Sequence, residues 1–254
     1  KNHIVLKIAE PTPRPAKSAE LALPAIFNTI WFLIAGVIFA VTPIVAQLYG
    51  AKKFNDIGTK LREVLWIALA LGFAVCTILF FMGNFLFYLP IDTSITSISS
   101  SYLKALSLGI IFMTIFTTLR CYSEGMALTR PVFYIAFFGM LLNIPLDIIF
   151  VYGYFGVPKL GGVGCGIATT LVSFLMMLTL IIYIFLSKNY SSTEPFSKFT
   201  PPSAKTTKEI FKLGTPIGFG IFIELSMFSG AALILGVLGE TIVAGHYIAL
   251  NIAS

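Results

Sequence analysis

Long apolar runs separated by short polar segments dominate this chain, and they lack the strict alternation of membrane-spanning strands. A helix needs about 20 apolar residues to cross a bilayer. Six runs are long enough, and a seventh begins near Thr241. The six are Leu21–Leu48, Val64–Leu89, Tyr102–Leu119, Pro131–Tyr152, Val163–Leu186 and Leu213–Leu238. The pattern therefore predicts an all-α polytopic membrane protein with six complete transmembrane helices and the start of a seventh.

The composition supports this class. Apolar residues make up 57% of the chain and charged residues 11%, whereas a soluble domain carries about 25% charged residues. Mean hydropathy is +0.92. These values exclude a disordered chain, a secreted disulfide scaffold and an ordinary cytosolic enzyme. The cysteines form no CxxC pair and no catalytic motif appears, so we expect neither a zinc site nor a cofactor nor an enzyme.

Basic residues occur mainly in alternate loops. Eleven Lys and Arg lie in segments 50–63, 120–130 and 187–212, against two on the opposite side, Lys104 and Lys159. The positive-inside rule therefore places the three basic segments in the cytoplasm. The net charge of +6 is explained by membrane orientation, and no nucleic-acid partner is expected.

This topology divides the chain into four parts. Residues 21–186 form a first helix bundle, 187–212 a cytoplasmic loop, and 213–254 the incomplete start of a second bundle. Residues 1–20 are an atypical, non-membrane leading segment, whose basic residues fall on the wrong side of the membrane.

Two acids, Asp147 and Glu224, lie well inside apolar runs, while the others fall in loops, at helix ends or in the leading segment. A charge at mid-bilayer costs at least about 2.5–3.5 kcal/mol. Asn143 lies four residues before Asp147, on the same helix face, and Pro145 between them frees the carbonyl of Leu141. These oxygens predict a site for a small cation or a proton. The alternative is a structural Asp that bonds a neighbouring helix.

Glu224 follows Pro216 and lies beside Phe222 and Met227. An acid among aromatic and Met side chains suits a lipophilic cation. The alternative is a protonated Glu that only packs between helices. Pro43, Pro145 and Pro216 fall inside apolar runs and predict helix kinks.

Several stretches resemble the multidrug and toxic compound extrusion (MATE) family, in its NorM-like branch. They are Thr42–Ala51, Glu124–Ala127, Thr129–Pro131, Asn143–Gly153, Gly161–Thr169, Thr215–Glu224 and Ala244–Ser254. The resemblance covers about residues 18–254, in the family's order.

The resemblance implies a two-lobe, twelve-helix antiporter that exports organic cations in exchange for Na⁺ or H⁺. This chain would hold helices two to seven and part of helix eight. It implies a cation site at Asn143, Asp147 and Thr169, and a second acid at Glu224, with Phe222 and Met227 beside it for substrate. The family's first helix, with its acid, has no counterpart in residues 1–20, and the second lobe is incomplete.

The expected function is therefore multidrug efflux across a bacterial inner membrane. The expected partners are membrane lipids, small cationic organic substrates and the rest of the transporter chain. Two alternatives remain: a related flippase for lipid-linked substrates, or a truncated membrane protein that does not transport. We expect residues 1–254 alone not to transport, because alternating access needs two bundles.

Overall fold

A computed structural model of the chain describes residues 31–32, 34–85 and 93–236. This part consists of helices and the segments that connect them, and no strand occurs among the described residues. A helical segment at residues 34–39 (α1) leads into α2 after a turn at Ala40. The remaining elements are α2 (Val41–Gly50), α3 (Phe54–Phe85), α4 (Thr93–Gly125), α5 (Thr129–Tyr152), α6 (Gly162–Leu186), a 3₁₀ helix (Lys188–Thr193) and α7 (Ala204–Gly236).

Five described helices are long and apolar enough to span a membrane, and α1 with α2 forms a shorter apolar segment, Ile34–Gly50. The all-α membrane fold is thus confirmed. The first 10 residues of the Leu21–Leu48 run, the leading segment and the seventh run lie outside the described residues.

Helices extend well beyond the apolar runs that predicted them. Helix α3 begins at Phe54 rather than Val64, so the expected loop at 50–63 shrinks to residues 51–53. Helix α7 begins at Ala204, inside the expected loop at 187–212. Hydropathy marks only the part of a helix in lipid, whereas backbone hydrogen bonding continues through polar residues outside it.

Helix α4 is the centre of the bundle and packs against α2, α3 and α6. In its most apolar stretch 56% of the residues are buried, against 11% in α5. Helix α5 packs mainly on α6 and presents a broad aromatic face outward, which includes Phe133, Phe137 and Phe138. Such a face suits lipid or a neighbouring helix.

Glycines bring the backbones of α5 and α6 together. A Cβ at Gly164 would lie 2.5 Å from the carbonyl oxygen of Phe150, so only glycine fits there. Gly161, just before α6, has a φ of 55°, which favours glycine. The Gly161–Gly166 segment therefore allows a tight turn and close helix packing.

Helix α7 crosses α1 at equally close range. Gly214 and Gly218 are four residues apart and share one face; a Cβ at Gly214 would lie 2.5 Å from the Cα of Val37, and Gly36 meets the backbone of Gly218. Helix α7, the first long helix after the linker (residues 187–203), is thus packed directly on the first bundle. Pro145 and Pro216 lie inside continuous helices, whereas the turn at Ala40 precedes Pro43.

Candidate functional site

Asp147 lies five residues before the end of α5 at Tyr152. Its side chain is partly buried, and its Oδ1 atom is fully shielded with no hydrogen-bond partner among the described residues. Leaving a buried polar atom unpaired is costly, and most buried polar groups in proteins are paired. This oxygen is therefore available to a cation or a proton.

Two neighbouring helices supply polar groups beside this carboxyl group. The Cys165 thiol in α6 lies within hydrogen-bonding reach of the Asp147 carboxylate, and the Tyr102 phenol in α4 interacts with Asp147 electrostatically. Close packing brings them in, since a Cβ at Gly166 would lie 3.2 Å from Tyr102. Asp147 thus lies where three helices meet. Sequence reasoning missed Tyr102 and Cys165 as neighbours of Asp147, because neither shares a helix with it.

The other predicted ligands lie on the same pair of helices. Asn143 is partly buried one turn before Asp147, and Thr169 is partly buried in α6, one turn after Cys165. The backbone carbonyl of Thr169 accepts a hydrogen bond of 2.8 Å from the Ser173 hydroxyl. The fold places α5 against α6, while the ligand roles of Asn143 and Thr169 stay predictions.

Glu224 occupies a different environment. It lies exposed on α7, as do Phe222 and Met227, and Phe219 stacks on Phe222 with ring centroids 6.2 Å apart. Among the described residues, no ion pair or hydrogen bond joins Glu224 to the Asp147 region.

A third carboxylate, Glu63, falls in the loop that the sequence predicts at 50–63, but the structure places it in α3, where it is the most deeply buried of the three. Glu63 in α3 is 7% exposed and accepts a hydrogen bond from the Thr206 hydroxyl of α7. Lys60, one turn earlier, donates to Thr206 at 2.7 Å and to Glu209 at 2.6 Å. These four residues, the α3–α7 clamp, join the first bundle to the helix that follows the linker. Lys60 and Glu63 are three residues apart, as are Thr206 and Glu209, so each pair lies on one face of its helix. This matching spacing is the signal in the sequence that could have indicated the contact.

The linker is also held down on the first bundle. Tyr122 of α4 and Thr193 share a hydrogen bond of 2.6 Å, and Tyr190 donates to the Ser123 hydroxyl at 3.0 Å. Burial raises the pKa of Tyr190, and its hydrogen bond to Ser123 offsets part of that rise. The ends of α3, α4 and α7 thus meet the linker at one end of the bundle, as expected if all basic segments lie on one side.

Among the described residues, no group of three or more His, Cys, Asp or Glu is arranged to hold a metal ion. The oxygens around Asp147 are hard donors, the kind that small alkali cations and protons prefer.

A comparison with family models decides the family. The MatE model matches residues 18–149, just over half of the chain, including Asn143 and Asp147. The chain belongs to the MatE family. Its curated MatE relatives include the multidrug resistance protein NorM of Vibrio cholerae, 36% identical over 239 residues, which cover 92% of this chain and 52% of that protein. The probable NorM of Acinetobacter baylyi is 37% identical over 239 residues, 92% of this chain and 53% of that protein.

Solved MATE structures share the fold. The MATE transporter NorM-NG, solved with a monobody, superposes with a TM-score of 0.67 at 29% identity, covering 94% of this chain and 51% of that one. An outward-facing multidrug resistance MATE transporter gives a TM-score of 0.75 at 22% identity, covering 94% and 52%, and supports the fold alone. The chain spans about half the length of the curated relatives it matches.

These findings confirm the NorM-like resemblance and a multi-pass membrane protein, in keeping with the inner membrane of bacteria such as these relatives. These relatives are named as multidrug resistance proteins.

Proposed function

We propose that this chain forms the first lobe, and the start of the second, of a secondary active transporter that exports lipophilic organic cations in exchange for Na⁺ or H⁺. Asp147 is the coupling group in this proposal. The observation that supports this role is the buried Oδ1 of Asp147, which has no hydrogen-bond partner among the described residues and lies at the junction of α4, α5 and α6. Binding of the ion would relieve the cost of that unpaired oxygen. The role is transport, not catalysis.

Asn143 and Thr169 complete the ion site in this proposal. Asn143 offers an amide oxygen one helical turn from Asp147, and Thr169 a hydroxyl from the facing helix. Sodium prefers several neutral oxygens around one charge, whereas a proton needs only the carboxylate. Asn143→Ala and Thr169→Ala would therefore weaken a sodium-coupled transporter more than a proton-coupled one.

Asp147→Asn, made in the complete transporter that contains this chain, tests the coupling role. Asparagine keeps the size and hydrogen-bonding capacity but lacks the charge that a cation needs. Ion-driven efflux of a fluorescent cation from loaded vesicles should fall to background, while the amount of inserted protein stays unchanged. Glu209→Gln, an acid at the cytoplasmic end of α7, is the matched control and should retain efflux. Parental efflux by Asp147→Asn would make Asp147 structural.

Glu224 is the second acid of the proposal and serves the cationic substrate. Its exposed carboxylate follows the stacked Phe219 and Phe222, and Met227 lies three residues beyond it. Glu224→Gln should reduce export of cationic dyes more than export of neutral ones. Equal export of both dyes at normal expression would remove Glu224 from the substrate site.

A further inference from the structure

A pocket of about 310 Å³ opens at the cytoplasmic end of α3, away from the proposed ion site. Its polar wall carries Arg62 and Lys198, and no carboxylate lines it. Leu69 and Ile115 form part of its apolar wall. The pocket is therefore cationic at one end and apolar at the other.

Arg62 is fixed in place by neutral groups only. Its Nε donates to the Thr200 hydroxyl at 3.0 Å, one terminal nitrogen to the Glu194 carbonyl at 2.7 Å, and the other to the Thr59 hydroxyl at 3.1 Å. It forms no ion pair within the described part of the chain. A guanidinium has five N–H donors, so two remain for a ligand, and its charge is not compensated by an acid.

The depth of the pocket matches the membrane boundary. The apolar run begins at Val64, so Arg62 lies just outside it, while Trp66 and Leu69 lie inside. Trp66 is 39% exposed and meets Phe199 edge-to-face, with ring centroids 5.3 Å apart. Tryptophan is enriched where the headgroups of a bilayer begin. A ligand here would have its polar part at headgroup level and its apolar part in the hydrocarbon.

We propose that this pocket binds an anionic phospholipid of the cytoplasmic leaflet, with its phosphate at Arg62 and Lys198 and an acyl chain along Leu69 and Ile115. Basic pockets between transmembrane helices on the cytoplasmic side recognise such headgroups. A soluble phosphate would satisfy the cations and leave the apolar wall uncovered. The bound lipid would join α3 to the linker, because Lys198 and Phe199 belong to the segment between the lobes.

The chain carries a reporter in the pocket itself. It has two tryptophans, and Trp31→Phe leaves Trp66 as the single one. The complete transporter that contains this chain, with any tryptophan outside residues 1–254 also replaced by phenylalanine, would be reconstituted in phosphatidylcholine vesicles. Phosphatidylglycerol or phosphatidylcholine carrying brominated acyl chains would be added in matched amounts. Bromine quenches tryptophan on contact. Each basic residue near an anionic lipid contributes about a fivefold preference. Brominated phosphatidylglycerol should therefore quench Trp66 at a several-fold lower mole fraction.

Charge variants show whether the pocket causes this preference. Lys198 is exposed, so Lys198→Gln should fold normally and lower the preference about fivefold. Lys188→Gln, an exposed lysine of the same linker outside the pocket, is the matched control and should leave the preference unchanged. Equal quenching by both lipids, or an equal loss in the two variants, would overturn the proposal.

Two further measurements test whether the site binds soluble phosphate and whether the result holds without the tryptophan substitution. Glycerol phosphate in millimolar excess should not displace brominated phosphatidylglycerol; displacement would show a soluble-phosphate site and overturn the lipid proposal. If Trp31→Phe fails to fold, native mass spectrometry of the otherwise unaltered chain replaces quenching. Phosphatidylglycerol should then stay bound at higher collision energy than phosphatidylcholine, and Lys198→Gln should abolish the difference. The same retention for both lipids would contradict the proposal.

Discussion

Glu63 and Asp147 both have shielded carboxylate oxygens, but the hydrogen bonding of these oxygens differs. Glu63 lies in the α3–α7 clamp, where the Thr206 hydroxyl donates to it and Lys60 is one helical turn away. Asp147 lies in a sparsely packed helix, with one oxygen shielded and unpaired among the described residues. A satisfied buried carboxylate indicates a structural role, because its bonds are already made. An unsatisfied one indicates a function that supplies the missing partner.

The packing around the two carboxylates also differs. At the end of the bundle that carries the linker, Gly58 lies directly against the backbone of Thr193, and Tyr190 and Thr193 are each 1% exposed. Around Asp147, α5 leaves most of its surface uncovered. Close packing at one end and an open flank at the other suit a bundle that moves as a unit about its attachment to the linker.

The largest expected effect is a loss of stability when Gly58, which lies against the backbone of Thr193, is replaced by a larger residue. In Gly58→Ala the new Cβ would overlap the carbonyl oxygen of Thr193, a backbone atom that cannot rotate away. We expect a loss of about 3 kcal/mol of stability, the upper part of the usual overpacking range. The measurement is thermal unfolding in detergent, followed by reaction of the buried Cys121 with a thiol dye. Gly50→Ala, which meets nothing within 4 Å, should unfold near the parental temperature.

The next prediction compares the two carboxylates directly. Glu63→Ala leaves the Thr206 hydroxyl without its acceptor and should cost about 1–3 kcal/mol. Asp147→Asn should leave stability unchanged or raise it, because it removes a charge with an unpaired oxygen. The same thiol-dye assay measures both variants. Equal destabilisation by the two would mean that Asp147 is a structural residue and that the contrast is wrong.

The smallest effect concerns the ion pair of the clamp. The side chains of Lys60 and Glu209 are 19% and 40% exposed, so solvent screens their 2.6 Å contact. A double-mutant cycle with Lys60→Met and Glu209→Gln should give a coupling energy below about 1 kcal/mol. The coupling should fall further in high salt. A larger, salt-independent value would show that this pair, rather than Glu63, holds α7 in place.

Much of this architecture could be predicted, because it depends on the order of apolar and polar residues along the sequence. The length of an apolar run reports whether a helix can cross the bilayer, so α3 to α7 were each anticipated, though their polar ends were not. The depth of Asp147 followed from the same runs, and its relation to Asn143 from helical periodicity. The MATE resemblance followed from several short stretches in the family's order.

The sequence by itself determined the membrane class, the helices, the alternation of basic loops and the position of Asp147 within an apolar helix, because each depends on neighbours a few residues apart. Only the tertiary structure decided which carboxylate is satisfied. Glu63 and Thr206 are 143 residues apart, and their hydrogen bond exists only because α7 returns to α3. Cys165 and Tyr102 reach Asp147 through glycine contacts between helices. No local pattern encodes such a meeting, since it depends on how three helices pack.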